Sequence, residues 1–162
     1  MPAAVTPATG RVAAVTGQAG SEERAAAVRA TGADALVHPG DGSPVDGEFD
    51  VVLDGIGGPM LGPLLDATAR NGRVVVYGNS ADAPSTFRVE AFYPKGIAIL
   101  GFRVFTSVAP TQAVKDMASL ADQAAAGTLQ VTVQATAPLA DALPLIADLY
   151  DRKVTGKVVI TR

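Results

Sequence analysis

Few side chains in this 162-residue sequence could move a proton or attack a carbon near neutral pH. There is no cysteine, so the chain has no thiol nucleophile, no disulfide and no cysteine–zinc centre. The single histidine, His38, stands before Pro39 at the end of an apolar run. It reads as a surface residue, no sequence link ties it to a nucleophile, and one histidine argues against a structural zinc site. Asp54 follows Val51-Val52-Leu53. A carboxyl group there would be a buried acid or base, or it would bond the backbone of its own turn, which is the simpler reading. Tyr77, Tyr93 and Lys95 could bring phenols and an ammonium to one rim. Tyr93 and Lys95 lie two residues apart, so in an extended segment they would share a face and could transfer a proton. Chance spacing is the simpler account of the pair.

These residues sit on or beside one stretch, Phe49 to Gly78, which reads strand, glycine turn, helix, glycine stop, strand. The run inside Asp50–Asp54 is short and apolar, as in a strand buried on both faces of a parallel sheet. Gly55, Gly57 and Gly58 allow a sharp turn, and Pro59 suits the first turn of a helix. Met60, Leu61, Leu64, Leu65 and Thr68 recur at helical spacing, and Asn71-Gly72 closes that helix. Arg73–Tyr77 is a second strand, closed by Gly78. Strand–helix–strand with short links predicts a right-handed crossover and an α/β fold.

The flanking chain fits the same plan. Residues 1–10 read as a poorly ordered segment and 11–162 as one domain. Strands are predicted at Arg11–Thr16, Ala35–His38, Ile97–Phe102, Gln130–Ala135 and Lys157–Thr161. Gly17–Gly20 reads as a loop, and Ser21 as the N-cap of a helix with Glu22 and Glu23 in its first turn. Pro39–Glu48 is a surface loop, and Phe87–Phe92 fits either a short helix or an extended piece. Pro110–Ala126 is a helix whose inner stripe is Val114, Met117, Ala118, Leu120, Ala121 and Ala124. Asp141 can cap a helix from Ala142 to about Arg152, with Pro144 in the first turn.

Composition narrows the partners. Hydrophobic residues are 48% and aromatics 5%, so Ala, Val and Leu fill the core. A net charge of −3 without a basic cluster argues against nucleic acid. No apolar run approaches the ~20 residues that span a bilayer, and no secretory signal is evident. The expectation is a soluble, cytoplasmic protein without a membrane partner, and the Ala, Val, Gly, Asp and Arg bias suggests a bacterial source.

Five stretches, taken in order, resemble one family. Ala19–Asp34 (AGSEERAAAVRATGAD), Phe49–Gly58 (FDVVLDGIGG), Asn71–Ser80 (NGRVVVYGNS), Phe92–Phe102 and Val154–Thr161 (VTGKVVIT) cover nearly the whole chain. They are similar to the C-terminal part of the medium-chain dehydrogenase/reductase superfamily, in its zinc-independent quinone-oxidoreductase branch. The resemblance implies a truncated Rossmann-like, mostly parallel sheet with helices on both faces, lacking the first βα unit and the GroES-like domain. On that alignment Arg11–Thr16 is the family's second strand, so the G-x-G-x-x-G turn that holds a pyrophosphate is expected to be missing. In a sheet ordered 3-2-1-4-5-6 this leaves unpaired strand edges, and the chain is expected to form a homo-oligomer through them.

The resemblance also implies roles. Ser21 and Arg24 resemble the S-x-x-[KR] pair that holds the 2′-phosphate in NADPH-using members; the plain alternative is a helix cap and an exposed arginine. The preceding Thr16-Gly17 carries no acid of the kind that favours NAD. Gly55, Gly57 and Gly58 resemble the turn beside the cofactor, though a turn needs no ligand. Gly78, Asn79 and Ser80 sit where members pass the nicotinamide ribose, at a strand end where open α/β sheets place ligands. The implied cofactor is NADPH, or none if the pyrophosphate turn is lost. Three functions follow as expectations: a degenerate, non-autonomous NADPH-dependent reductase of quinones or enones; a repurposed non-redox isomerase or cyclase acting on a small apolar molecule, in secondary metabolism; and a non-catalytic assembly subunit.

Overall fold

A computed structural model describes residues 14–162; the expected segment 1–10 and the first residues of the strand predicted at Arg11–Thr16 lie outside them. The described chain divides into two compact units, one spanning His38–Asp116 and one joining the residues up to Val37 with Met117–Arg162. Every strand pairing among the described residues is parallel, so the α/β expectation holds, in three ladders of two, three and two strands.

In the His38–Asp116 unit, β3 (Phe49–Asp54), β4 (Thr68–Val76) and β5 (Ala98–Gly101) form a sheet with β4 central. Helix α2 (Leu61–Asp66) makes the crossover from β3 to β4. Alternation along β3 buries Val52 and Asp54 and leaves Val51 and Leu53 exposed. Val52, Val74, Leu61, Leu65, Ala91 and Ile97 form the core of this unit.

The predicted helix does not run to Asn71. It ends at Asp66, and Thr68 already belongs to β4. Phe49 pairs with Thr68 but Val51 pairs with Arg73, so two steps along β3 are matched by five along β4. The extra residues form a bulge in which Asn71 takes a φ of 59°. A side chain at Gly72 would meet Thr68 Cγ2 at 2.6 Å and Asp50 O at 3.0 Å, so only glycine fits. A bulge this wide mimics a further helical turn in the spacing of apolar residues. The ambiguous stretch after Phe87 resolves into two 3₁₀ turns, Val89–Ala91 and Tyr93–Lys95, and a short helix α3 (Val104–Ser107) follows β5.

Helix α4 (Pro110–Ala125) lies where predicted, but its stripe is not inner. Val114, Met117 and Leu120 are 70%, 66% and 43% exposed.

In the second unit, β1 (Thr16–Ala19) pairs with β2 (Asp34–Val37), with α1 (Glu22–Arg29) between them. The predicted loop Gly17–Gly20 is therefore mostly strand. A Cβ on Gly17 would lie 2.7 Å from Val28 Cγ1, so glycine is needed there for close helix packing rather than for a turn. Ala19, Ala25 and Val28 form the local core. Strand β6 (Val133–Pro138) pairs with β7 (Lys157–Thr161), linked by α5 (Ala142–Tyr150). β6 lies three residues beyond the predicted Gln130–Ala135, because a period of two fits several starts and the pairing with β7 chooses one. Asp141 precedes α5, yet its side chain makes no capping bond; a 3₁₀ turn, Leu139–Asp141, leads into the helix instead.

Candidate functional site

The ends of β3 and β4 open into two loops that stay hydrogen-bonded past the strands. Tyr77 N–H donates to Asp54 O (2.8 Å), Ser80 N–H to Gly55 O (3.2 Å) and Ala81 N–H to Ile56 O (2.9 Å). This closeness explains the glycines. A Cβ on Gly55 would sit 2.7 Å from the Tyr77 ring, and one on Gly78 would sit 2.9 Å from Gly55 O. Gly57 has a φ of +64°, and a Cβ there would meet Asn79 Oδ1 at 2.7 Å. Asp54 is 2% exposed, and its Oδ1 accepts from Ile56 N–H (2.8 Å) and Gly57 N–H (3.0 Å). Its Oδ2 is buried and has no hydrogen-bond partner among the described residues. The carboxyl group thus holds its own turn and is closed to solvent. Half-exposed Tyr77, with Asn79 and Ser80, carries the polar atoms of the rim.

Ser21 caps α1 from an extended backbone, its Oγ accepting from Arg24 N–H at 3.4 Å. Arg24 is half-buried, and its Nη2 donates to Arg152 O at 2.9 Å. No carboxylate pairs with Arg24 among the described residues.

Tyr93 and Lys95 do not form the side-by-side pair that an extended segment would give. They lie in a 3₁₀ turn, Tyr93 mostly exposed. Lys95 Nζ donates to Asp66 O (2.6 Å) and Thr68 O (3.0 Å), tying down the end of α2. An ammonium on the last carbonyls of a helix also meets the negative end of its dipole.

His38 is buried, 4% exposed, and not a surface residue. Gly40 N–H donates to its Nδ1 (3.0 Å), which assigns the ring proton to Nε2, facing Ser43 O (3.0 Å) and Ser43 Oγ (3.2 Å). Ser43 O–H donates to Asp41 Oδ1 (2.7 Å), as does its N–H (3.0 Å). The Ser43 hydroxyl, followed by its backbone N–H, holds the Asp41 carboxyl below its ordinary value of 3.8. Serine, histidine and aspartate meet here, which spacing alone did not reveal. They do so in the wrong order for acyl transfer, because His38 presents a proton where a base needs a lone pair. The loop is a hydrogen-bonded knot. Beside it, an open cleft of about 330 Å³ is lined by Pro44, Val45, Pro63, Asp66, Phe87 and Arg88, among others. Gly78, Asn79 and Ser80, the expected rim of a pocket, do not line this cleft.

This combination of parallel crossovers, glycine-tight loops at the strand ends and a serine-capped helix after the first strand is that of the nucleotide-binding part of a medium-chain dehydrogenase/reductase. The sequence profile of the family described as zinc-binding dehydrogenase matches residues 25–160, and the chain belongs to that family. No curated protein matches it. Among solved structures it is similar to a quinone oxidoreductase of Pseudomonas syringae pv. Tomato, with 27% identity and a TM-score of 0.70, covering 92% of this chain and 49% of that one. A mycobacterial quinone oxidoreductase matches with 22% identity and a TM-score of 0.74, covering 92% and 49%. An oxidoreductase of Salmonella enterica in complex with NADP matches with 18% identity and a TM-score of 0.72, covering 92% and 47%. The last two matches speak for the fold alone. The chain spans about half the length of the structures it matches.

The family's description raises zinc. The described residues contain no group of three or more His, Asp or Glu side chains placed to hold a metal ion, and both ring nitrogens of His38 are already hydrogen-bonded. The described residues do not fit a zinc site. Among the described residues, no helix is long and apolar enough to cross a membrane.

Proposed function

We propose that this chain is the nucleotide-binding part of an NADPH-dependent quinone or enone reductase and that it does not reduce a substrate alone. The observation that carries this reading is the start of α1. Arg24, whose backbone N–H meets the capping hydroxyl of Ser21, has no carboxylate partner among the described residues. Ser21 spends an acceptor lone pair on Arg24 N–H, so its O–H remains to donate, and Arg24 retains four of its five N–H donors. That set suits a dianionic 2′-phosphate. Solved neighbours hold NADP in one case and NAD in another, which supports a nicotinamide nucleotide and leaves the choice between them to Ser21 and Arg24. Within the His38–Asp116 unit, Asn79 and Ser80 lie at the strand end where open α/β sheets place ligands, which suits contact with a nucleotide's ribose. NADPH, when bound, supplies a hydride; the residues here bind and orient.

The test is calorimetric titration with NADPH, with NADH as the control. Binding tighter than about 100 μM, near −5.5 kcal/mol, and lost in Arg24→Ala, is the expected result. No detectable heat would overturn the cofactor assignment.

We further propose self-association. The exposed apolar stripe of α4 and the exposed Leu143, Ile146 and Leu149 on α5 support it. A strictly monomeric mass by light scattering would refute it.

A further inference from the structure

We infer that His38 is a pH-sensitive latch: its neutral ring fastens the loop that walls the cleft of the His38–Asp116 unit, and protonation of the ring releases Gly40. None of the residues involved belongs to the proposed cofactor site. The ring is buried, and its two nitrogens are engaged in opposite senses. Nδ1 accepts from Gly40 N–H at 3.0 Å, while Nε2 faces Ser43 O at 3.0 Å and Ser43 Oγ at 3.2 Å. Only the neutral imidazole with its proton on Nε2 can accept at one side and donate at the other. A second proton must go to Nδ1, where it meets the Gly40 N–H as donor against donor. The ring then keeps Ser43 O and loses Gly40. The Asp41–Ser43 turn does not have to break, because the Asp41 carboxylate holds Ser43 N–H and O–H without help from Nδ1. Asp41 also favours the charged ring, since its carboxylate and His38 interact electrostatically. The two states differ by one hydrogen bond against one charge pair, which makes a bistable element of the kind a histidine can bias.

The latch acts on the cleft through the loop that follows it. Gly40 and Gly42 take φ of 80° and 90°, which folds the chain back after Pro39. Gly42 then lies on Pro59, where a Cβ would come within 3.1 Å of Pro59 Cβ and 3.2 Å of Pro59 O, and Gly47 lies on the ring of Phe49. Gly42, Pro44, Val45 and Gly47 form the loop's side of the cleft. The contacts on Pro59 and Phe49 are steric and do not titrate, so His38 is the anchor that answers to pH. The charged groups around it are Asp41 beside the ring, exposed Asp46 and Glu48 on the same loop, and Asp66 and Arg88 across the cleft. Carboxylates as a class titrate below about pH 5 and guanidinium stays charged, so a change between about pH 8 and about pH 5 reads the imidazole. His38 is the chain's single histidine, so its ring signal is unambiguous.

The test is NMR on the whole chain. The His38 ring nitrogens report protonation, and amide hydrogen exchange, corrected for its intrinsic pH dependence, reports Gly40, Ser43 and the buried Val74. The parent is compared with His38→Asn, whose Oδ1 can accept from Gly40 N–H but does not ionise. The expected result is that the ring gains its second proton between about pH 8 and about pH 5 and that Gly40 protection falls over the same range. The fall is up to about thirtyfold, as for a released ring with the reference imidazole value of about 6.5. Ser43 and Val74 keep their protection, and Gly40 in His38→Asn changes by less than about twofold. A Gly40 protection that holds within about twofold in the parent overturns the inference, whether the ring charges or stays neutral. So does a parallel loss at Val74, which marks general acid unfolding, and so does an equal fall in His38→Asn, which assigns the response to another group. If His38→Asn does not fold, the parent's ring titration set against its Gly40, Ser43 and Val74 amides decides the matter alone.

Discussion

Replacing Gly78 with alanine tests the link between the two strand-end loops. The new Cβ would lie 2.9 Å from Gly55 O and 3.3 Å from Gly55 Cα, both backbone atoms that cannot rotate away as a side chain can. Relief requires the loops to separate by several tenths of an ångström. That separation strains the neighbouring bonds Ser80 N–H to Gly55 O and Ala81 N–H to Ile56 O, at 3.2 and 2.9 Å. A net loss of about 1 kcal/mol per bond, with the cost of overpacking, predicts destabilisation of about 2–3 kcal/mol. With a urea dependence of about 2 kcal/mol/M, the unfolding midpoint of the His38–Asp116 unit falls by about 1–1.5 M. Gly101→Ala is the control, because nothing lies within 4 Å of a Cβ there and its φ is not positive. Fluorescence of the exposed Tyr77 and Tyr93 follows the transition. A midpoint for Gly78→Ala within about 0.3 M of Gly101→Ala would show that the loops accommodate a methyl group and that the glycine has another purpose, such as direct approach of a ligand.

Three further outcomes are expected. Lys95→Met removes two charge-assisted bonds to Asp66 O and Thr68 O and leaves the end of α2 unsatisfied; a loss of about 2–3 kcal/mol in urea unfolding is expected, and a loss below about 0.5 kcal/mol would contradict it. Ser21→Ala removes the cap on α1, which should cost about 1 kcal/mol, whereas Ser21→Asp should retain most of that stability; equal melting temperatures for the two variants would refute the capping role. Asp41 has a folded-state pKa depressed by Ser43, so its stabilising contribution is fully present above 3.8 and is lost as pH falls through the lower folded value. The Ser43 amide resonance should accordingly shift with a midpoint below 3.8 in an NMR titration, and a midpoint above that value would reverse the assigned cause.

How far the sequence revealed this fold depended on whether a local rule had a competitor. Lys157–Thr161 is a strand within the predicted bounds, and Ser21 caps its helix as predicted, because short apolar runs and caps are decided within a few residues. The end of α2 was hidden because Thr68 satisfies a helical period and also begins β4. What separates the two is a lysine 27 residues downstream that binds the Thr68 carbonyl, together with the steric limit at Gly72. Gly17 misled for the opposite reason. Glycine suggests a loop, but here it admits Val28 against a strand. At the site, Asp54 was legible as the anchor of its own turn because an Asx turn is local. The burial of His38 was not, since it depends on Gly40 and Ser43 folding back around the ring.

These cases change what the glycine pattern can be taken to mean. Gly55, Gly57 and Gly78 each have a sufficient steric reason in the contact between two loops of one sheet. Their presence is therefore evidence for the fold and is neutral about a ligand. Arg24 stands differently. Its backbone N–H is satisfied by Ser21, and one of its five side-chain donors is used by Arg152. Folding leaves the remaining donors and the charge without a counter-ion among the described residues. The functional reading therefore rests on the residues whose charge the fold does not satisfy, and much less on the motif whose shape the fold already explains.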